Sequence, residues 1–228
     1  SSVIEHSLDV LPGNVARDVV PDVSVDGILL VDKPAGMTSH DVVYKVRRLF
    51  GTRKVGHTGT LDPMATGVLP VFLGRATRAV EFFESADKEY VAGLRLGLTT
   101  DTEDTGGRIL SHSDTLPYED EVKAVCASFV GEIPQIPPMY SALKVGGKKL
   151  CDLARQNIEV ERAPRSVTVY RLDVETMNEK EGLYALGVKC SKGTYIRALC
   201  ADIGRALSCG GAMEGLRRTA SGHFTLAA

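Results

Sequence analysis

Residues 56–67 place one histidine and one aspartate among three glycines. The stretch reads Gly-His-Thr-Gly-Thr-Leu-Asp-Pro-Met-Ala-Thr-Gly and runs into the apolar segment 68–73. Glycine lets the backbone take positive φ or lie close to a ligand, and the proline after Asp62 favours extended geometry at the aspartate. The pattern predicts a rigid loop that presents one acid just before a buried strand. Because Asp-Pro is also frequent in ordinary turns, a solvated turn acid is the alternative.

Several known catalytic motifs are absent from the sequence, and their absence argues against some reactions at this loop. His57 and Asp62 together suggest a hydrolase, but no Gly-x-Ser-x-Gly nucleophile elbow accompanies them. The loop does not end in the Gly-Lys-Ser/Thr of a phosphate loop, and the His-x-Glu and Pro-Cys-x-x-Cys signature of zinc deaminases is absent. Asp101, Glu103 and Asp104 do not follow the calcium-loop pattern, which favours solvated turn acids. We therefore expect no metal site.

Several motifs resemble those of the TruB family of pseudouridine synthases. Residues 56–67 are similar to the family's catalytic motif, and residues 27–39 (Gly-Ile-Leu-Leu-Val-Asp-Lys-Pro-Ala-Gly-Met-Thr-Ser) to its N-terminal motif. Further matches in the family's order are Asp-Lys-Glu-Tyr at 87–90, Thr-Asp-Thr-Glu-Asp at 100–104, Pro-Met-Tyr-Ser-Ala-Leu-Lys at 138–144 and Ser-Lys-Gly-Thr-Tyr-Ile-Arg at 191–197. The resemblance covers about residues 25–222.

The resemblance implies isomerisation of uridine to pseudouridine at position 55, in the T loop of tRNA. The bond between C1′ and N1 breaks and the ribose is rejoined to C5 of the same base, without metal or cofactor. A target in folded RNA must first be flipped out of its stack, at a cost of about a few kcal/mol. Two alternatives stay open: an RNA chaperone that grips the tRNA T arm, and a family member that modifies another RNA.

The resemblance assigns catalysis to Asp62, Tyr90 and Arg197. A carboxylate can act as nucleophile or stabilise positive charge at C1′, a nearby guanidinium keeps a carboxylate ionised, and Tyr90 is expected to stack on the base. Spacing alone also allows core packing for Tyr90 and a surface position for Arg197. The implied substrate-binding residues are His57, which stacks where the flipped base had been, Gly59, Thr60, Tyr195, Leu216 and Lys33, the last as a phosphate or fold contact.

Hydrophobic periodicity predicts the elements that must position these residues. The predicted strands cover 27–32, 68–73, 89–98, 167–174 and 183–190, and the predicted helices about 39–50, 75–85, 120–130, 150–157 and 194–209. This interspersion favours an α+β fold with a mixed, largely antiparallel sheet. The resemblance implies the pseudouridine synthase fold, a bent sheet flanked by helices with a central RNA-binding cleft.

The expected domain organisation is an N-terminal extension over residues 1–24 and one catalytic domain over residues 25–228. Members of the family commonly carry a C-terminal PUA domain. The sequence ends soon after the last matched motif, so we expect no PUA domain in this chain.

Charge and composition bear on partners and location. The net charge of −2 means that RNA binding depends on local basic patches. We identify three: Lys45, Arg47, Arg48, Arg53 and Lys54; Lys144, Lys148, Lys149 and Arg155; and Arg217 with Arg218. Five cysteines without a close pair indicate reduced thiols and a cytoplasmic location. No apolar run is long enough to span a membrane, and we expect a monomer that binds the T stem-loop of tRNA.

Overall fold

The computed structural model describes residues 25–226 of the chain, and these residues form two compact units. The first unit contains residues 25–89 and 217–226, and the second contains Tyr90–Leu216. The extension predicted for residues 1–24 lies outside the described residues.

The first unit is built around one long buried strand. Up to residue 89, its elements are β1 (Gly27–Lys33), α1 (Ser39–Leu49), β2 (Val55–His57), β3 (Thr66–Leu73), a 3₁₀ turn (Gly74–Ala79) and α2 (Val80–Glu84). Strand β1 runs antiparallel to β3 and β2 also pairs with it. From Gly67 to Leu73 every residue of β3 is buried, as its continuous apolar sequence predicts.

Helix α1 begins where its sequence places the N-cap. The hydroxyl of Thr38 accepts a hydrogen bond from the amide of Asp41 at 3.0 Å, and the Asp41 carboxylate accepts one from the Thr38 amide at 2.9 Å. This reciprocal pair is a capping box. The helix then buries Val42, Val43 and Val46 against the residues of β1 and β3.

The second unit contains most of the remaining elements. They are β4 (Lys88–Leu96), β5 (Leu98–Thr100), β6 (Ile109–His112), α3 (Glu119–Ser128), β7 (Gly131–Gln135), β8 (Lys144–Val145), β9 (Lys148–Lys149), α4 (Leu150–Arg155), β10 (Arg165–Asn178), a 3₁₀ turn (Glu179–Glu181), β11 (Leu183–Cys190), α5 (Ile196–Ala206) and β12 (Gly211–Ser221). Strand β12 continues into the first unit, where it pairs with β13 (Phe224–Thr225).

Strand order in the second unit is β12-β4-β11-β10-β7. Strand β10 is antiparallel to both β11 and β7. In β11 the residues Tyr184, Leu186, Val188 and Cys190 are buried and alternate with half-buried ones, which confirms the predicted period of two. In the first unit, β3 and β12 pair in parallel, so the α+β class with a mixed, largely antiparallel sheet is confirmed.

Several segments differ from the predicted elements. Strand β4 ends at Leu96, because Gly97 turns the chain with a φ of 89° and β5 belongs to a separate two-stranded sheet. The helix predicted over 75–85 is a 3₁₀ turn followed by the short α2. Strands β7 and β12 have no counterpart among the predicted elements, since neither sequence alternates clearly between apolar and polar residues.

Within residues 25–226, no helix has the length and apolar character that crossing a bilayer requires. The cysteines are all free thiols, as predicted.

The capping box offers a direct test of how α1 is positioned. Thr38→Ala should lower the free energy of unfolding by about 1 kcal/mol, because the Asp41 amide loses its acceptor. Thr38→Ser keeps the hydroxyl and serves as the matched control. Urea denaturation measures both variants, and equal stability of Thr38→Ala and the unchanged protein would contradict a role for the cap.

Candidate active site

Asp62 lies half-buried in the first unit, between the buried residues Leu61 and Ala65. The carbonyl of Asp62 accepts a hydrogen bond from the Ala65 amide at 3.0 Å, which closes a tight turn at Asp62-Pro63. Ser39, the first residue of α1, bonds the preceding peptide twice. Its hydroxyl donates to the Leu61 carbonyl at 3.1 Å and accepts from the Leu61 amide at 2.9 Å. The start of α1 therefore fixes the backbone directly before the aspartate.

Lys33, at the end of β1, fixes the backbone on the other side. Its side chain is fully buried, and the ammonium donates to the carbonyls of Pro34 at 2.9 Å, Met37 at 2.6 Å and Pro63 at 3.3 Å. Burial lowers the pKa of Lys33, while the negative charge of Asp62 acts to raise it. An ammonium has three donors, and here they serve carbonyls. These bonds make Lys33 a contact that holds the fold, while its expected role as a phosphate contact stays a prediction.

Arg218 of β12 is a third buried side chain at this loop, with 1% of its surface exposed. Its guanidinium donates from Nη2 to the Gly59 carbonyl at 2.7 Å and from Nε to the Val68 carbonyl at 2.9 Å. A Cβ on Gly67 would lie 2.1 Å from the Arg218 carbonyl oxygen, and the φ of Gly67 is 108°. Only glycine therefore lets β12 approach the loop this closely.

His57 is half-buried at the end of β2, and its Nδ1 has no hydrogen-bond partner among the described residues. Burial lowers the pKa of His57, and the positive charges of Arg218 and His40 act in the same direction. The imidazole is therefore neutral near pH 7. On the same loop, Gly59 is half-buried and Thr60 is exposed. These residues, with Lys33 and Asp62, are the part of the predicted site that lies in the first unit.

Arg197 lies in the second unit and is 4% exposed, which excludes the surface position that spacing allowed. It is the second residue of α5. Nη1 donates to the Thr102 carbonyl at 3.0 Å and Nη2 to the Tyr140 carbonyl at 2.6 Å. Both acceptors belong to matched motifs, so residues 100–104 and 138–144 orient the guanidinium.

Tyr195 precedes α5, and Gln135 of β7 holds its backbone. The buried Gln135 amide donates to the Tyr195 carbonyl at 3.0 Å and accepts from the Tyr195 amide at 2.8 Å. Tyr90 and Leu216 lie on the neighbouring strands β4 and β12, and both are half-buried. Tyr90 shares its face of β4 with the buried Ala92 and is less buried than a core residue.

The acidic turn 101–104 differs from the expected set of solvated acids. The Asp104 side chain accepts hydrogen bonds from the Thr102 hydroxyl and the Gly106 amide, so it stabilises the turn. Glu103 has a φ of 63°, and its Oε2 is buried without a hydrogen-bond partner among the described residues. Burial raises the pKa of Glu103, and the positive charge of Arg197 opposes this rise. The Glu103 carboxyl is thus an interior group near the Arg197 side chain.

Arg217 and Arg218 do not form the joint basic patch that their sequence suggests, because only Arg217 is exposed. Arg217 forms a bidentate ion pair with Asp32, at 3.0 and 2.9 Å, and Arg218 is buried against the loop. Ser39 ends the matched motif 27–39, whereas Gln135 and Arg218 lie outside the matched motifs, so sequence reasoning had no signal for their contacts. Among residues 25–226, no cluster of His, Cys, Asp and Glu side chains has the arrangement of a metal site.

Comparison with known families matches this chain over most of its length. The model described as TruB family pseudouridylate synthase (N terminal domain) matches residues 47–196. A second, the tRNA pseudouridylate synthase B C-terminal domain, matches residues 197–228. This chain belongs to the TruB family. The expected division into an extension and a single catalytic domain stays a prediction.

Curated TruB family proteins are similar to this chain over nearly nine-tenths of its residues. The tRNA pseudouridine synthase B of Alkaliphilus oremlandii is 52% identical over 202 residues, which are 89% of this chain and 67% of that protein. That of Clostridium kluyveri is 50% identical over 203 residues, 89% of this chain and 70% of that protein. That of Geobacillus thermodenitrificans is 51% identical over 211 residues, a match that covers 89% of this chain and 69% of that protein.

Solved structures share the fold. The protein matches a chain in the crystal structure of a Cbf5-Nop10-Gar1 complex, with a TM-score of 0.69 and 36% identity. The match covers 88% of this chain and 50% of the matched chain. It also matches a chain in an H/ACA RNP bound to a substrate RNA containing 2′-deoxyuridine, with a TM-score of 0.65 and 33% identity. This match covers 88% of this chain and 49% of the matched chain. This chain spans about half the length of those chains. The predicted pseudouridine synthase fold is confirmed, while the central cleft stays a prediction.

The lowered pKa of His57 predicts a specific dependence of stability on pH. The ordinary pKa is 6.5 and the folded value is lower, so this group's contribution to stability is present above pH 6.5 and is lost as pH falls through the folded pKa. His57→Gln removes the titration. The stability advantage of the unchanged protein over this variant should therefore shrink between about pH 7 and about pH 5.

Urea denaturation at several pH values measures this difference. His223→Gln, which changes an exposed histidine, is the control and should keep the pH dependence of the unchanged protein. A difference between the unchanged protein and His57→Gln that is constant across the range would contradict the prediction.

Proposed function

We propose that this chain isomerises uridine to pseudouridine in tRNA, with the T-loop uridine at position 55 as its target. The observation that carries the proposal is the half-buried carboxylate of Asp62 on a loop whose peptides are bonded on both sides by buried side chains. A catalytic group has to be held in place by its surroundings. A turn acid that only contacts solvent needs no such support.

The reaction is an internal rearrangement of one nucleotide. The bond between C1′ and N1 breaks, a bond between C1′ and C5 forms, and the proton on C5 is exchanged for one on N1. No atom is gained or lost, so the balance requires no cofactor. In this proposal Asp62 acts on C1′, either as nucleophile or by stabilising its positive charge.

The roles of the other site residues rest on family membership. Tyr90 is proposed to stack on the base, and its half-buried position leaves part of the side chain accessible. Arg197 is proposed as a catalytic residue, and the carbonyls of Thr102 and Tyr140 fix the orientation of its guanidinium. His57, Gly59, Thr60, Tyr195 and Leu216 are proposed to bind the RNA. The neutral imidazole of His57 suits stacking within RNA.

An exposed basic surface on the first unit supports a polyanionic substrate. Lys45 and Arg48 project from α1, and Arg53 and Lys54 follow in the turn that leads to β2. The exposed ring of Tyr44 lies beside them on the same helix. Contacts from such side chains to phosphates give RNA binding a strong dependence on salt. Because β2 ends at His57, this surface is continuous in sequence with the proposed catalytic loop.

A second candidate, action on another RNA, is favoured by the structural match to a chain of an H/ACA RNP bound to a substrate RNA. Identity to that chain is 33%, against 50–52% to the proteins called tRNA pseudouridine synthase B. The higher identity supports tRNA. A tRNA substrate and free thiols also support a cytoplasmic location, and we propose that the protein acts as a monomer.

The substrate proposal predicts where pseudouridine forms. A minimal T stem-loop should be modified at one uridine, and the same RNA with cytidine at that position should not be. Mapping by mass spectrometry in a complete tRNA transcript identifies the site. Modification of anticodon-arm uridines instead would contradict the T-loop assignment, and modification only of non-tRNA substrates would favour the second candidate.

The role of Asp62 predicts a separation of chemistry from binding. Asp62→Asn keeps the shape of the side chain but removes its negative charge, so pseudouridine formation should be lost while affinity for the T stem-loop is retained. Asp114→Asn changes an almost fully exposed aspartate and is the matched control. Turnover by Asp62→Asn would remove Asp62 from its role. Tight binding without turnover by the unchanged protein would favour an RNA chaperone.

A further inference from the structure

We propose that Arg218 is a positioning residue for the isomerisation. It sets the location of the Asp62 carboxylate by hydrogen bonding the loop that carries it, through two bonds that are called the clamp below. The inference rests on the proposed function. It assigns a role to an arginine whose sequence context suggests only a surface charge.

The clamp grips the loop on both sides of Asp62. One guanidinium bonds the Gly59 carbonyl, three residues before the aspartate, and the Val68 carbonyl, six residues after it, at 2.7 and 2.9 Å. Because a guanidinium is planar and rigid, these two bonds fix the separation and orientation of the two carbonyls. The loop between them is thereby held at both ends by one side chain.

The backbone of Arg218 adds a second constraint. Residues 217 and 218 pair in parallel with Thr66 and Gly67, and the Cα of Gly67 is so close to Arg218 that a Cβ there would overlap its backbone. The side chain also packs against Gly59, where a Cβ would lie 2.9 Å from Nη1. Both glycines of the catalytic motif that flank Asp62 are thus contact points for this one arginine.

The positive charge of Arg218 lies near the other groups of the loop. Besides burial, which is the larger cause, it lowers the pKa of both Lys33 and His57, while Asp62 acts on Lys33 in the opposite direction. The two buried cations Lys33 and Arg218 therefore lie near each other, and Lys33 also lies near the Asp62 carboxylate. Their donors bond to carbonyls, which compensates part of the cost of burying them.

The loss of the clamp should displace the aspartate rather than remove the binding surface. The exposed basic residues of α1 are on another element and keep their positions. A misplacement of a catalytic group by about 1 Å can cost on the order of 10²-fold in rate. Arg218→Ala should therefore lower the single-turnover rate at saturating enzyme by on the order of 10²-fold, with a much smaller change in the dissociation constant for the T stem-loop.

Three matched variants separate positioning from general stability. Arg218→Lys keeps the charge but can reach the carbonyls with an ammonium only, so its rate should lie between those of Arg218→Ala and the unchanged protein. Arg75→Ala removes an exposed arginine of the first unit together with its ion pair to Asp26, and should keep the full rate. Arg218→Gln keeps a neutral donor and should resemble the alanine variant. All rates are measured at a temperature where circular dichroism shows each variant to be folded.

Chemical rescue tests the guanidinium itself. Truncation in Arg218→Ala leaves a space of the size of the missing group, and added guanidinium at millimolar concentration should restore part of the rate. Urea has the same shape without the charge and should not. The same additions to the unchanged protein measure any effect that does not depend on the vacated space.

Hydrogen exchange gives a readout that does not depend on turnover. The amide of Leu61 and its neighbours in residues 56–67 should exchange faster in Arg218→Ala and at the normal rate in Arg75→Ala. A full rate per folded molecule in Arg218→Ala, or an equal loss of RNA binding and rate, would overturn the positioning role. If the unchanged protein forms no pseudouridine in any RNA tested, the proposed function fails and this inference with it; a fully active Arg218→Ala overturns the inference alone.

Discussion

Hydrogen bonds from buried side chains to backbone carbonyls hold the loop that carries Asp62. Ser39 bonds the peptide of Leu61, Lys33 bonds the carbonyl of Pro63, and Arg218 bonds carbonyls further out on both sides. These side chains come from α1, β1 and β12, which are distant in sequence. The position of Asp62 therefore depends on the packing of the whole first unit.

In the second unit, hydrogen bonds between side chains and backbone also hold two candidate site residues, Tyr195 and Arg197. Gln135 bonds both backbone groups of Tyr195, and Arg197 reaches back from α5 to carbonyls of two separate loops. Each unit thus holds its candidate site residues by bonds between side chains and irregular backbone. Irregular backbone lacks the partners that helices and strands supply, and its buried polar groups have to be bonded in another way.

The use of cations for this purpose has a physical reason. Lys33 offers three donors and Arg218 five, so each can bond several carbonyls that converge on one place. Burying a charge is costly unless it is hydrogen-bonded or paired. Here carbonyls supply the bonds, and the charge of Asp62 favours the protonated form of Lys33. The charge of Arg218 contributes, after burial, to the lowered pKa of His57 and thereby to its neutral state.

Sequence by itself determined the α+β class, the presence of β11, the approximate start of α1 and the family. These features depend on local patterns, so the neighbouring residues along the chain are sufficient to predict them. Sequence did not determine the strand β12, the burial of Arg218 or the interior position of Glu103. Arg-Arg in a polar stretch has the same local pattern whether its side chains face water or a loop 150 residues away. Only the tertiary structure decided between these environments, because the carbonyls that receive Arg218 come together only when β3 and β12 pair.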